Sequence, residues 1–249
     1  MSVTLSERNI LLTVSYDGTE FCGWQRQAQE RTVQGELERA LGELHPERPG
    51  VIAAGRTDSG VHAAGQVLNF RPENSSIPID RYPAAINRLL PRDLKVQSAR
   101  EAAPEFHARF DALQRTYRYQ ILVSDQPDPL YERFAHRIYR RPRIAIWNRM
   151  AAALLGEQDF TTFAASPQPG ESMYRRVDSA SFTVSGALVV FRITANAFLW
   201  RMIRSVVGTI LDLSSGEPEE FHEILSSRER ARAGPTAPAR GLCLEQVRY

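Results

Sequence analysis

The chain reads as an α+β protein made of two ferredoxin-like halves. Two observations predict this. The coarse element order of residues 9–99 is βαββαβ, the split βαβ arrangement, and a similar order returns after residue 114. The strand that opens the second half, 115–123, also alternates apolar and polar residues, as a strand with one covered face does. Two such sheets would join edge to edge into one mainly antiparallel sheet with a central cleft. The halves are placed at 1–104, which holds the Asp-bearing loop discussed below, and 105–249.

The elements follow in order. "NILLTVSY" (9–16) is a strand. Thr32 caps a helix through "TVQGELERALGEL", whose Val33, Leu37, Leu41 and Leu44 share one face. "VIAAG" (51–55) and "GQVLNF" (65–70) are strands, "DRYPAAINRLL" is a helix stopped by Pro91, and "LKVQSA" is a strand. In the second half "RTYRYQILV" (115–123) alternates, with Tyr117, Tyr119, Ile121 and Val123 on one face. A helix is expected over 144–155, ended by Gly156, then a hairpin around Ser185 and Gly186. "FLWRMIRSVVGTILDL" (198–213) is a helix that places Arg204 near its middle, a short helix lies near 218–225, and "LCLEQV" is the last strand. The stretches 124–130 and 166–172 are candidate mobile loops.

Composition excludes several classes. No apolar run approaches the ~18 residues of a membrane span, and the first residues show no signal-peptide pattern. Two cysteines, Cys22 and Cys243, make no disulfide framework, so a cytoplasmic location is expected. There is no Gly-rich dinucleotide or phosphate loop and no His or Cys pair at metal-ligand spacing. The expected chemistry uses ordinary side chains, with no cofactor and no metal. Net charge is only +2, but Lys95 is the one lysine among 31 basic residues. The bland reading of that bias is a GC-rich genome; the functional one is that Arg suits phosphate and base edges. The tract "RFAHRIYRRPR" (133–143) has five Arg and no acid, with Phe134 and Tyr139 interleaved. It reads either as a solvated face or as a surface that grips RNA.

Three stretches are candidate sites. "AGRTDSGVHA" (54–63) sets Arg56 and Asp58 two apart among small residues. Thr-Asp-Ser-Gly is turn chemistry. It is also what a nucleophilic carboxylate needs: a cation such as Arg56 nearby favours the ionised form, and small neighbours admit a flat substrate. "YDGTEFCGWQRQ" (16–27) is a loop anchored by Trp24, or an RNA-contacting loop using Gln25, Arg26 and Gln27. "FHARFDALQRTYRY" (106–119) places His107 and Arg109 ahead of Tyr117, which is itself an ordinary half-buried strand residue. Arg204, set among Met202, Ile203, Val206 and Val207, either needs an anion or reaches the helix edge. Three rival readings are an RNA-binding module without catalysis, a methyltransferase using Cys22, and a metal-dependent nuclease.

The segments "YDGTEFCGWQRQ", "TVQGELERAL", "AGRTDSGVHA", "GQVLNF", "FHARFDA", "RTYRYQI", "NAFLWRMIRSVVGTI" and "APARGLCLEQVRY" occur in that order across Ile10 to Tyr249. Together they resemble the bacterial tRNA pseudouridine synthases of the TruA family. The resemblance implies the pseudouridine synthase fold and isomerisation of uridine at positions 38–40 of the tRNA anticodon stem-loop. It implies a cytoplasmic homodimer whose one tRNA touches both subunits. It places the nucleophile on Asp58, its neighbouring arginine on Arg56, the base-stacking tyrosine on Tyr117, and the arginine paired with the carboxylate on Arg204. The chain departs from the family at Ser59, where Ala is usual, at Trp200-Arg201, where the pair includes a His, and over 166–174.

Overall fold

A computed structural model describes residues 8–73, 75–166, 170, 172–213 and 216–249. It divides into two compact units, Met1–Leu113 with Leu244–Tyr249, and Gln114–Cys243. The molecule is α+β, and its strand pairings are mostly antiparallel.

The first unit runs β1 (Asn9–Tyr16), α1 (Val33–Leu44), β2 (Ile52–Ala53), β3 (His62–Phe70), α2 (Tyr82–Leu89) and β4 (Leu94–Ala102). This is the expected βαββαβ order. β1 lies between β3 and β4, antiparallel to both, and β2 pairs with β3. Ile10, Leu12 and Val14 of β1 are fully buried, as are Leu37, Ala40 and Leu41 of α1 and Tyr82 and Ile86 of α2. Burying each large apolar side chain stabilises the unit by roughly 1.5–3 kcal/mol. The Thr32 hydroxyl accepts from Gly35 N–H at 3.2 Å, the expected cap of α1.

Polar pairing holds residues 103–113 in this unit. Asn9 Nδ2 donates to the carbonyls of Ala103 and Phe106, both at 2.9 Å. Asn69 Nδ2 donates to Asn9 Oδ1 (2.8 Å), and Ala108 N–H donates to Asn69 Oδ1 (2.9 Å). The chain end closes on the same segment: the Tyr249 hydroxyl donates to Ala108 O (2.8 Å), and Leu113 N–H donates to Arg248 O (2.8 Å).

The second unit runs β5 (Gln114–Val123), β6 (His136–Ile138), α3 (Ile144–Ala152), β7 (Gly156–Asp159), β8 (Tyr174–Ser185), β9 (Leu188–Ala195), α4 (Met202–Asp212) and α5 (Pro218–Ser226), and leads into β10 (Leu242–Arg248). β9 lies between β5 and β8, antiparallel to both. Tyr119, Ile121, Trp147, Met150, Phe191, Ile193, Met202, Val206 and Ile210 form its core, each fully buried. Phe182 stacks on Phe191 (4.6 Å) and tilts against Trp147 (5.0 Å).

Three expectations change. The helix after residue 144 ends at Ala152, because Gly156, at φ 90°, opens β7 against β8. β6 and β7 are strands that the alternation did not mark. α4 begins at Met202, four residues later than expected, because Arg201 has left-handed backbone angles (φ 60°, ψ 8°). Arg204 therefore sits in the first turn of α4. Of the loop 166–172, residues 167–169 and 171 lie outside the described residues. No helix is long and apolar enough to cross a membrane among the described residues.

Candidate active site

The Asp58 loop is a tight turn held from beneath. Val61 N–H donates to Asp58 O at 3.1 Å, closing a four-residue turn with Gly60 at φ 77°, the conformation that favours glycine at its third position. The loop 16–24 supplies the supports. Trp24 N–H donates to Thr57 O (3.0 Å), Gly60 N–H donates to Phe21 O (3.3 Å), and the Ser59 hydroxyl donates to Phe21 O (3.2 Å). Tyr16 and Thr57 join hydroxyl to hydroxyl at 2.8 Å in the interior. The β1–β3 pairing shifts register between Val14 and Tyr16, which aims Tyr16 at this contact. Thr57 is buried, Asp58 half-buried and Arg56 exposed. The turn reading and the site reading are thus compatible: the turn fixes the backbone on either side of a half-buried Asp58.

Two glycines permit this fit. Gly23 sits at φ 87°, and a Cβ there would lie 2.8 Å from Thr57 O and 3.1 Å from Ser59 N. A Cβ on Gly18 would run into the Val61 carbonyl. Sequence reasoning missed both; their glycine identity in "YDGTEFCGW" is the signal that could have found them. His62 Nδ1 lies 2.9 Å from Gly18 N and 3.2 Å from Asp17 Oδ1, which ties β3 to the loop 16–24. Beneath the loop, Arg31 grips Asp93 with two bonds of 2.8 Å and lies 4.1 Å over the Phe21 ring. The Asp93 carboxylate raises the Arg31 guanidinium above its usual range.

The neighbouring candidates are tied locally. Gln25 Nε2 and Arg26 N–H both donate to Gln34 Oε1 (2.8 and 3.0 Å), Gln27 Nε2 donates to Cys22 O (3.1 Å), and Arg26 pairs with Glu38 (3.0 Å). All three side chains lie on an exposed loop. His107 Nδ1 accepts from Arg109 and Phe110 N–H (3.2 and 3.3 Å), so it shapes its own turn, while Arg109 is exposed. The Cys22 thiol donates to Glu30 at 3.0 Å, and that bond pushes its pKa up, the opposite of an activated nucleophile. Among the described residues no three His, Cys, Asp or Glu gather to hold a metal.

In the second unit Tyr117 is 8% exposed, with Phe198 edge-on at 5.2 Å. Arg204 is half-buried, and its Nε donates to Ala237 O at 2.8 Å while Ala237 N–H donates back to Arg204 O at 3.0 Å. The Tyr119 hydroxyl donates to Pro238 O (2.8 Å). Burial raises the Tyr119 phenol well above its ordinary range, against the opposing pull of Arg204 and Arg240. The segment 235–241 thus locks α4 to β5: a Cβ on Gly208 would strike the Pro235 carbonyl, and one on Gly241 would lie 2.6 Å from the Tyr119 ring.

A family model described as tRNA pseudouridine synthase matches residues 12–111 and 150–249. The chain is similar to the tRNA pseudouridine synthase A of Treponema denticola, at 44% identity over 256 residues, covering 100% of this chain and 96% of that protein. It is 42% identical to that of Moorella thermoacetica (96% and 98% covered) and 41% to that of Bacillus subtilis (95% and 97%). Among solved structures, a chain of the "Crystal Structure of a Cbf5-Nop10-Gar1 Complex" matches at a TM-score of 0.37 and 13% identity, over 95% of this chain and 47% of that one, a likeness that carries no argument. The fold and these matches define an RNA-modifying enzyme class, the pseudouridine synthases. The chain belongs to the tRNA pseudouridine synthase A (TruA) family, a family of isomerases.

Proposed function

We propose that the chain converts uridine to pseudouridine at positions 38–40 of the tRNA anticodon stem-loop, with Asp58 as the nucleophile. The observation that carries this reading is the Asp58 turn: a half-buried aspartate on a backbone turn fixed by hydrogen bonds, in a chain of this family. Arg56 is the cation beside it, Tyr117 the ring that stacks on the target base, and Arg204 the arginine partner of the carboxylate. Gln25, Arg26, Gln27, His107 and Arg109 are proposed RNA contacts.

The reaction is an isomerisation and needs no outside electron or group carrier. The N1–C1′ bond breaks, the uracil turns, the C5–C1′ bond forms, C5 loses its proton and N1 gains one. Asp58 serves either by adding to C6 of the ring or by acting at the ribose, through attack at C1′ or removal of a proton from C2′. The uridine must first leave its stack, at a cost of a few kcal/mol. Stacking on Tyr117 offsets ~1–3 kcal/mol of that.

Substrate tRNA carrying tritium at C5 of uracil tests the reading. Release of tritium with chelator present and no methyl donor is expected. Asp58→Asn should bind tRNA and release none; product within tenfold of wild type removes the nucleophile. The cytoplasm and a homodimer complete the proposal. A single-chain mass by sedimentation at micromolar concentration would remove the dimer.

A further inference from the structure

We propose that Trp200, with the Arg201 guanidinium laid on its ring, is a stacking site for an unpaired RNA base on the segment that joins Phe198 to α4 in the second unit. This rests on the reading of the chain as a tRNA-modifying enzyme.

The backbone that carries the pair is fixed. After β9, Asn196 Oδ1 accepts from Arg176 and Ala197 N–H, both at 2.9 Å, and its carbonyl accepts from Arg115 at 2.7 Å. Phe198 packs edge-on against Tyr117 at 5.2 Å. Leu199 is buried, and Trp200 O accepts from Ala165 N–H at 3.1 Å. The next residues open α4 and bring Arg204 into its first turn. Trp200 therefore stands on a rigid path between two side chains of the proposed substrate site.

On that path the chain keeps an indole in water. Trp200 is 50% exposed, whereas Trp24 and Trp147 are 2% and 0% exposed. A tryptophan used only for packing is highly buried. Arg201 adds a second oddity. Its φ of 60° is a conformation that glycine or asparagine adopts at little cost and arginine does not. Its side chain makes no cap bond to α4 and instead lies 4.7 Å over the Trp200 ring. Arg48 and Arg228 share such angles (φ 51° and 58°), so what sets Arg201 apart is its contact with an exposed indole. An exposed indole offers a π-face to any base, and the adjacent guanidinium offers charge to the neighbouring phosphate.

All three tryptophans emit, Trp24 and Trp147 from buried positions, so the Trp200 signal is the difference between the intact protein and Trp200→Phe. Titration with an unmodified anticodon stem-loop RNA should quench the emission, and Trp200→Phe should lose that quench. Heparin at equal charge should leave emission unchanged. In tritium release on the same RNA, Trp200→Ala should raise KM ~10-fold with kcat within about twofold, and Trp200→Phe should restore most of the KM. Emission unchanged at saturating RNA, equal quenching by heparin, emission that follows protein concentration instead of RNA, or an unchanged KM in Trp200→Ala would each overturn the proposal. A quench without tritium release would leave the stacking site standing and remove the proposed function; release without a quench would do the reverse.

Discussion

At the residue scale, the placement of the Asp58 carboxylate, the proposed nucleophile, depends on the small residues packed against its turn. Gly23→Ala adds a Cβ 2.8 Å from the Thr57 carbonyl at a backbone angle of 87°. The variant is expected to lose about 1–3 kcal/mol of stability and, by displacing Asp58, roughly 100-fold in kcat. Thermal unfolding and tritium release read the two effects. Ser59→Ala removes one hydrogen bond to Phe21 from an exposed side chain. It should cost no more than ~1 kcal/mol and leave kcat within about twofold; a larger loss of activity would give Ser59 a part in the chemistry. Asp58 and Arg56 could be nominated from the string because their types and spacing carry chemistry in themselves. Gly23 was not, because its importance lies in what approaches it, 34 residues along the chain.

At the element scale, α4 shows how a helix is placed by a strand of irregular chain. Gly208 lets the Pro235 carbonyl reach the helix, and Arg204 closes the contact with a pair of bonds to Ala237. Gly208→Ala forces the two apart and should destabilise the second unit by about 3 kcal/mol, measured as a lower urea midpoint. An unchanged midpoint would mean that segment 235–238 yields freely. The helices and long strands were readable from their apolar periods and caps, Thr32 among them. β6 and β7, of three and four residues, were not, since such short strands are set by the neighbour that pairs with them. The start of α4 was misplaced because the pattern from Phe198 onward is helical in period, while Arg201 takes a left-handed turn.

At the scale of the whole molecule, two histidines, the buried His45 and the half-buried His136, couple stability to pH. His45 stacks on Tyr82, and its Nε2 finds no hydrogen-bond partner among the described residues. Burial lowers its pKa, Glu47 opposes the shift, and Arg8 adds to it. Burial, with Arg240, lowers that of His136 as well. In both cases the unfolded chain takes a proton that the folded chain declines. Stability is therefore full above the ordinary histidine value of about 6.5 and falls as pH drops below it. The melting temperature should be lower at pH 5.5 than at pH 7.5, and His45→Phe should flatten part of that slope. An equal slope in the variant would assign the loss to other groups.

The sequence by itself determined the βαββαβ order, the Thr32 cap and the family, and it nominated Arg56 and Asp58 from their types and Tyr117 and Arg204 through the family resemblance. These depend on local period and on residue type, both of which are present in the string. The tertiary structure alone decided that residues 103–113 and the chain end close together on the first unit, that Gly18 and Gly23 yield to the Asp58 turn, and that Arg204 is braced on Ala237. Each of these is a contact between residues distant along the chain. Such contacts depend on shape and on unsatisfied backbone groups, which no local pattern records.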